Sequence, residues 1–215
     1  MRRIVFCLLV VLGFAPRATA TPVYHVELDT SSLSGHPAGP FSLAMALVDG
    51  SGTGDGNNIA LLTNFTFGGG SPAGAPITTG AAFGDFTGGI LLADATPFAF
   101  FSQTFAAGST LEFDLLLTSN AEAAPVFDGF VLWLLDSSGF PLPTLAGAAL
   151  DAFAVFTLQT GEVRLFAADV TRSPVAGGPP IDFNVRLVPE PSLAALLGLA
   201  AASVLLVRGR LTSSV

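Results

Sequence analysis

The sequence contains no lysine; its 8 basic residues are all arginines. Schiff-base chemistry on a lysine and phosphate binding by a P-loop lysine are therefore excluded. Charged residues make up only 11% of the 215-residue chain, against about 25% in an average soluble protein, and 51% is apolar. A chain this poor in charge and rich in apolar side chains does not stay disordered. There is one cysteine, Cys7, near the N-terminus, so the rest of the chain forms no intramolecular disulfide and must be held by its core. Only two histidines, His25 and His36, are present. No G-x-S-x-G, H-E-x-x-H, C-x-x-C or G-x-G-x-x-G pattern occurs, which leaves nucleophile-elbow, zinc-protease, dithiol and dinucleotide chemistry without their residues. No stretch of helical period precedes residue 192.

The two ends carry the long apolar runs. Met1-Arg2-Arg3 is followed by Ile4 to Phe14 and then Ala18-Thr19-Ala20. A basic start, a short apolar run and a small-residue cleavage site predict a secretory signal peptide over residues 1–20. The run is too short for a span, which needs about 20 residues. Cys7 lies within it and is not a lipobox cysteine. At the other end, Leu193 to Val207 is uncharged and is followed by Arg208 and Arg210. As a helix it covers about 23 Å, against about 30 Å for a hydrocarbon core. The expectation is a single C-terminal transmembrane helix over 193–207, with the arginines as its cytoplasmic anchor and 211–215 as a cytoplasmic tail. The competing readings are an ordinary C-terminal anchor and a buried helix. Val188-Pro189-Glu190-Pro191-Ser192 precedes the run, and its two prolines predict a stiff, extended, accessible segment.

Motif, apolar run and terminal arginines in this order, over residues 188–210, resemble the PEP-CTERM sorting signal of Gram-negative bacteria. The basic cluster is only two arginines and five residues follow it, which are departures from the pattern. The resemblance implies processing by exosortase after signal peptidase has acted, transient residence in the inner membrane, and an association with exopolysaccharide and biofilm at the cell surface or outside the cell. Pro189, Glu190 and Pro191 are then recognition residues. The stretch Tyr24 to Leu33, the Asp49 to Asn58 turn and Asn64 to Gly70 are also similar to a recurrent group of PEP-CTERM ectodomains, and no catalytic residue comes with that similarity.

Between the ends, residues 21–187 are expected to form one ectodomain. Three arginines and fifteen acids give residues 21–188 a net charge of about −12. Such a surface repels nucleic acid and anionic lipid. The apolar pattern has period two: Tyr24, Val26, Leu28; Phe41, Leu43, Met45, Leu47; Ile59, Leu61, Phe65, Phe67; Leu111, Phe113, Leu115, Leu117; Ile181, Phe183, Val185, Leu187. Strands are further expected over 90–93, 97–105, 126–135, 152–159 and 162–170. Eight to ten antiparallel strands without helices predict an all-β, two-sheet sandwich, jelly-roll-like. The strand at 126–135 is apolar on both sides, which predicts burial of both faces and puts Trp133 in the core; the alternative is a sugar-stacking platform. Residues 68–81, without charge or aromatic, predict a flexible surface loop, and Gly35-His36-Pro37 an exposed turn.

The polar candidates are few. Asp49, Asp55 and Asn57 on the glycine-rich turn 49–58 carry oxygens suited to Ca²⁺, which takes about six to eight. The EF-hand pattern fails, because its twelfth position is Ala60. A solvated turn is the other reading, and no further cofactor is expected. His25, Glu27 and Asp29 share one strand face, as do Glu112 and Asp114, at i,i+2 spacings of about 6.6 Å; acid–base or metal work is conceivable there, although exposed strand faces carry such residues routinely. These readings point to an exported surface or matrix protein without catalytic activity. The alternative is a carbohydrate-binding module for extracellular polysaccharide.

Overall fold

The structure is a computed structural model that describes residues 23–120, 126–174 and 178–189. The expected signal peptide, transmembrane helix and cytoplasmic tail lie outside the described residues, as do Glu190, Pro191, Arg208 and Arg210. Thirteen strands are present: β1 (Val23–Asp29), β2 (Phe41–Val48), β3 (Ile59–Thr66), β4 (Ser71–Pro72), β5 (Ile77–Thr79), β6 (Ala82–Asp85), β7 (Gly89–Ala93), β8 (Phe98–Ala106), β9 (Thr110–Leu117), β10 (Gly129–Leu135), β11 (Ala154–Thr157), β12 (Glu162–Leu165) and β13 (Val185–Pro189). One 3₁₀ turn, Ser31–Leu33, is the sole helical element among the described residues. No helix of the described residues is long and apolar enough to cross a membrane.

The strands form two antiparallel sheets. The first has the order β13-β1-β9-β3-β7-β6 and the second β12-β11-β10-β2-β8-β4, with β5 also pairing with β8. The chain crosses between the sheets repeatedly: β1, β3, β6, β7 and β9 lie in the first and β2, β4, β5 and β8 in the second; β10 to β12 then extend the second sheet, and β13 returns to pair with β1. Each sheet turns one apolar face to a shared core. Val26, Leu28, Leu43, Met45, Phe113 and Leu115 are fully buried, as their alternation predicts.

Phenylalanine rings join the sheets. Phe65 lies 5.2 Å from Phe113 and 4.9 Å from Phe86. Phe86 in turn lies 6.0 Å from Phe101 on the second sheet, and Phe67 lies 6.0 Å from Phe105. These centroid distances are those of favourable tilted and edge contacts.

Four expectations are corrected. First, Ile59 and Leu61 do not share a face with Phe65 and Phe67. Ala60 and Leu62 are the buried pair, and a register shift against β9 between Thr63 and Thr66 turns the parity over. The bulge centres on Asn64, at φ 57°, and brings Phe65 onto the core cluster. Second, residues 68–81 are not a free loop: β4 and β5 both pair with β8. Backbone pairing needs no apolar side chain, so composition did not reveal it. Gly70 permits the approach, since a Cβ there would lie 1.9 Å from the Ala106 carbonyl oxygen. Third, β10 is buried on one face only. Phe130, Leu132 and Leu134 face the core, whereas Val131, Trp133 and Leu135 are half-buried on the outer face. Fourth, the domain's last strand runs past residue 187: Val188 pairs with His25 and Pro189 with Tyr24.

The bulge gives a test. Valine is poorly tolerated at positive φ and glycine is at ease there. Asn64→Val should therefore be less stable than Asn64→Gly by about 1–2 kcal/mol in urea denaturation, although both lose the same side-chain hydrogen bond.

Candidate functional site

The turn between β2 and β3 folds inward on its acids. Asp49 accepts hydrogen bonds from the backbone N–H of Ser51 (2.7 Å) and of Gly54. Burial opposes ionisation of Asp49, but these donors outweigh it and hold its carboxyl below the usual range. Asp55 and Asn57 pair with each other at the exposed tip (2.8 Å). Asn58 is fully buried and central. Its N–H reaches both oxygens of Asp94 (3.0 and 2.9 Å), its side-chain amide donates to Asp128 (2.6 Å), and its Oδ1 accepts from Thr118 and Asn120. Gly50 N–H donates to the other Asp128 oxygen (2.8 Å). Thus Asp94, Asp128 and Asn58, far apart in sequence, tie the turn to the loops before β8 and β10. Asp94 and Asp128 were not singled out from the sequence, where each is one polar residue beside a strand; Asn58 stood there only as the end of the 49–58 turn.

Among the described residues no group of three or more His, Cys, Asp or Glu side chains is arranged to hold a metal ion. Of the proposed calcium ligands, Asp49 is turned inward onto backbone donors and Asp55 onto Asn57.

Asp94 is fully buried. Burial raises its pKa to about 6, against the Asn58 donor and with help from the charges of Asp128, Asp55 and Asp49.

Across the outer face of the first sheet, register decides which polar residues meet. His25 stands opposite Asp114, and Glu27 stands between Glu112 and Arg186. The His25 ring contacts Asp114 through Nδ1 (2.9 Å) and lies 3.8 Å from Glu112. Asn64 donates to the second Asp114 oxygen (2.6 Å). Burial works against the Asp114 carboxylate, yet the Asn64 and His25 hydrogen bonds hold its pKa below the ordinary value. Asp29 instead caps Ser31 and takes no part. These are half-exposed groups on a sheet face, where ion pairs contribute little. His36 is not simply exposed. Its Nδ1 accepts from Ala38 N–H and its Nε2 donates to the Pro179 carbonyl (both 3.1 Å), so the ring pins its turn to the approach of β13.

Arg172, one of three arginines in the ectodomain, is a second site that the sequence did not single out. Its guanidinium forks onto Asp151 (2.5 and 3.0 Å), donates from Nε to Asp169 (2.8 Å) and reaches the Thr144 carbonyl (2.6 Å). The clamp holds Asp151 at φ 44° and closes the long connections around β11 and β12.

The outer face of the second sheet is different in kind. Ser42, Ala44 and Ala46 of β2 lie between taller side chains, with Trp133 opposite Ala44 and Phe100 opposite Ala46. The indole N–H of Trp133 donates to the Leu150 carbonyl (2.9 Å), fixing the ring on this face. Next to it lies a groove of about 390 Å³, lined by Ser42, Ser102, Thr104, Phe100, Ile77, Leu135 and the turn 136–139. A second cavity, of about 260 Å³, opens beside Tyr24 and Phe156 at the corner where β1 begins. No protein-family model matches the chain, and no curated protein or solved structure is significantly similar to it.

Two predictions follow from the charged sites. Between about pH 4 and pH 6 the folded chain keeps the Asp94 proton and the unfolded chain has lost it. The Asp94 contribution therefore falls as pH rises through this window, opposite in sign to the lowered aspartates, whose contribution is lost as pH falls below about 4. Asp94→Asn should raise stability at pH 7 by roughly 1–2 kcal/mol and leave it unchanged near pH 3.5, as read from denaturation midpoints at the two pH values. Arg172→Lys cannot form the fork, and should cost about 1–3 kcal/mol at pH 7 in the same assay.

Proposed function

We propose that this chain is an exported surface or matrix protein without catalytic activity, recognised by exosortase through Pro189, Glu190 and Pro191, processed near them, and associated with exopolysaccharide or biofilm. In this reading signal peptidase removes residues 1–20. The run 193–207 then holds the chain in the inner membrane with Arg208 and Arg210 on the cytoplasmic side, until processing sends the domain to the cell surface or beyond it. The observation that carries the reading is the three-part tail in register behind an all-β domain. Further support comes from how that domain ends: β13 finishes at Pro189, three residues before the apolar run, and pairs there with Tyr24 at the start of β1. The first and last described strands thus lie side by side.

A second reading, a carbohydrate-binding module for extracellular polysaccharide, is favoured by one observation. Trp133 lies on an outer sheet face beside a groove, instead of in the core.

The sorting reading is tested by changing Pro189, Glu190 and Pro191 together to Ala in a host that carries exosortase. Unprocessed chain should then accumulate in the inner-membrane fraction on immunoblots. Release at the wild-type rate would overturn the reading.

A further inference from the structure

We propose that the groove on the outer face of the second sheet binds a neutral glycan strand, with Ser102 on its floor, Phe100, Ile77 and Leu135 as its apolar contacts and Asp136 at its rim. The proposal rests on the carbohydrate-binding reading and gives it a location and a ligand class.

Ser102 carries the argument. The residue is 5% exposed, lines the groove, and its hydroxyl makes no hydrogen bond to any described residue. No buried side-chain oxygen among the described residues lacks a partner, so this unpaired hydroxyl is open to solvent, and its open side is the groove. Beside it Ser42 and Thr104 hold their hydroxyls 3.1 Å apart across the β2–β8 pair. That leaves further lone pairs facing a ligand. Asp136 uses one carboxylate oxygen for the N–H groups of Ser138 (2.8 Å) and Phe140 (3.0 Å). Its other oxygen accepts from no described residue.

The chemistry selects among occupants. A lipid chain or an apolar protein surface would cover Ser102 and Asp136 without pairing them, leaving both desolvated and unsatisfied. A peptide adding as a strand needs a free sheet edge, yet β2 and β8 both have neighbours on either side. A uronate, sulfate or phosphate polymer would meet a carboxylate, with no arginine lining the groove, on a domain of net charge about −12. A neutral pyranose chain meets every demand. Its C–H faces lie on Phe100, on Ile77, which is 66% exposed, and towards Trp133. Its hydroxyls pair with Ser102, the Ser42–Thr104 pair and Asp136. The volume of the groove suits a short stretch of such a chain.

The test uses the full chain, purified in a detergent without a sugar headgroup. Retention is measured on insoluble cellulose, β-1,3-glucan and chitin, and in gels containing dextran, galactomannan or alginate. At least one neutral polymer should retain the protein, and alginate should not. Ser102→Ala should weaken that retention by about fivefold or more, and Ile77→Glu, a change at an exposed site, should abolish it; both variants should keep the wild-type melting temperature. Retention by none of the neutral polymers overturns this proposal together with the carbohydrate reading. Retention that survives both substitutions overturns the groove and leaves the carbohydrate reading standing. Equal retention by alginate overturns the neutral class.

Discussion

The structure depends on a phenylalanine-filled interface between two sheets, in a domain that contains no cysteine to reinforce it. Phe65 and Phe113 on one sheet meet Phe101 and Phe105 on the other through Phe67 and Phe86. Burying a large side chain of this kind contributes about 1.5–3 kcal/mol. Antiparallel sheets can leave their second face to solvent, so the core commits only half of each strand. The other half is available for function.

The two outer faces use that freedom differently. On the first sheet the outward positions bring together His25, Glu27, Glu112, Asp114 and Arg186, a polar lattice of half-exposed groups. On the second sheet they are aromatic, aliphatic or hydroxyl-bearing over β2, β8 and β10, and charge is confined to Glu162 and Arg164 of the edge strand β12. The acids that do go inside, Asp49, Asp94 and Asp128, are spent on holding loops: each accepts backbone N–H groups, and Asn58 links two of them. An acidic domain with one nearly uncharged sheet face is suited to a partner that is itself uncharged and rich in hydroxyls.

Much of the fold was legible where alternation was clean. In β1 and β9 the residues of one parity are the buried ones, because a strand facing a core on one side has no other way to sort its side chains; in β2 that parity supplies the core, while Ala44 and Ala46 of the other are covered from outside. Legibility failed where backbone geometry overrode the pattern. At Asn64 one left-handed residue reverses the parity of Phe65, and at β4 and β5 hydrogen bonding to β8 needs no characteristic side chain. Trp133 was misplaced for a third reason. A strand apolar on both sides reads as doubly buried, but here one side is a surface in its own right. Of the site residues, Asp49 stood out in its glycine-rich turn. Asp94, Asp128 and Arg172 did not, since Asn58, Gly50 and Asp151, which they hold, lie 21 to 78 residues away along the chain.

By itself the sequence determined that the domain is built from strands, which parity of β1, β2 and β9 enters the core, and which chemistries are missing for want of lysine, cysteine and paired motifs. Tertiary structure alone decided which outward residues become neighbours. Cross-strand register places Ser102 beside Ala44 and Ile77, and His25 beside Asp114. The physical reason is that alternation is a property of one strand, whereas a groove or an ion pair is a property of strands that the chain brings together only after long connections have closed.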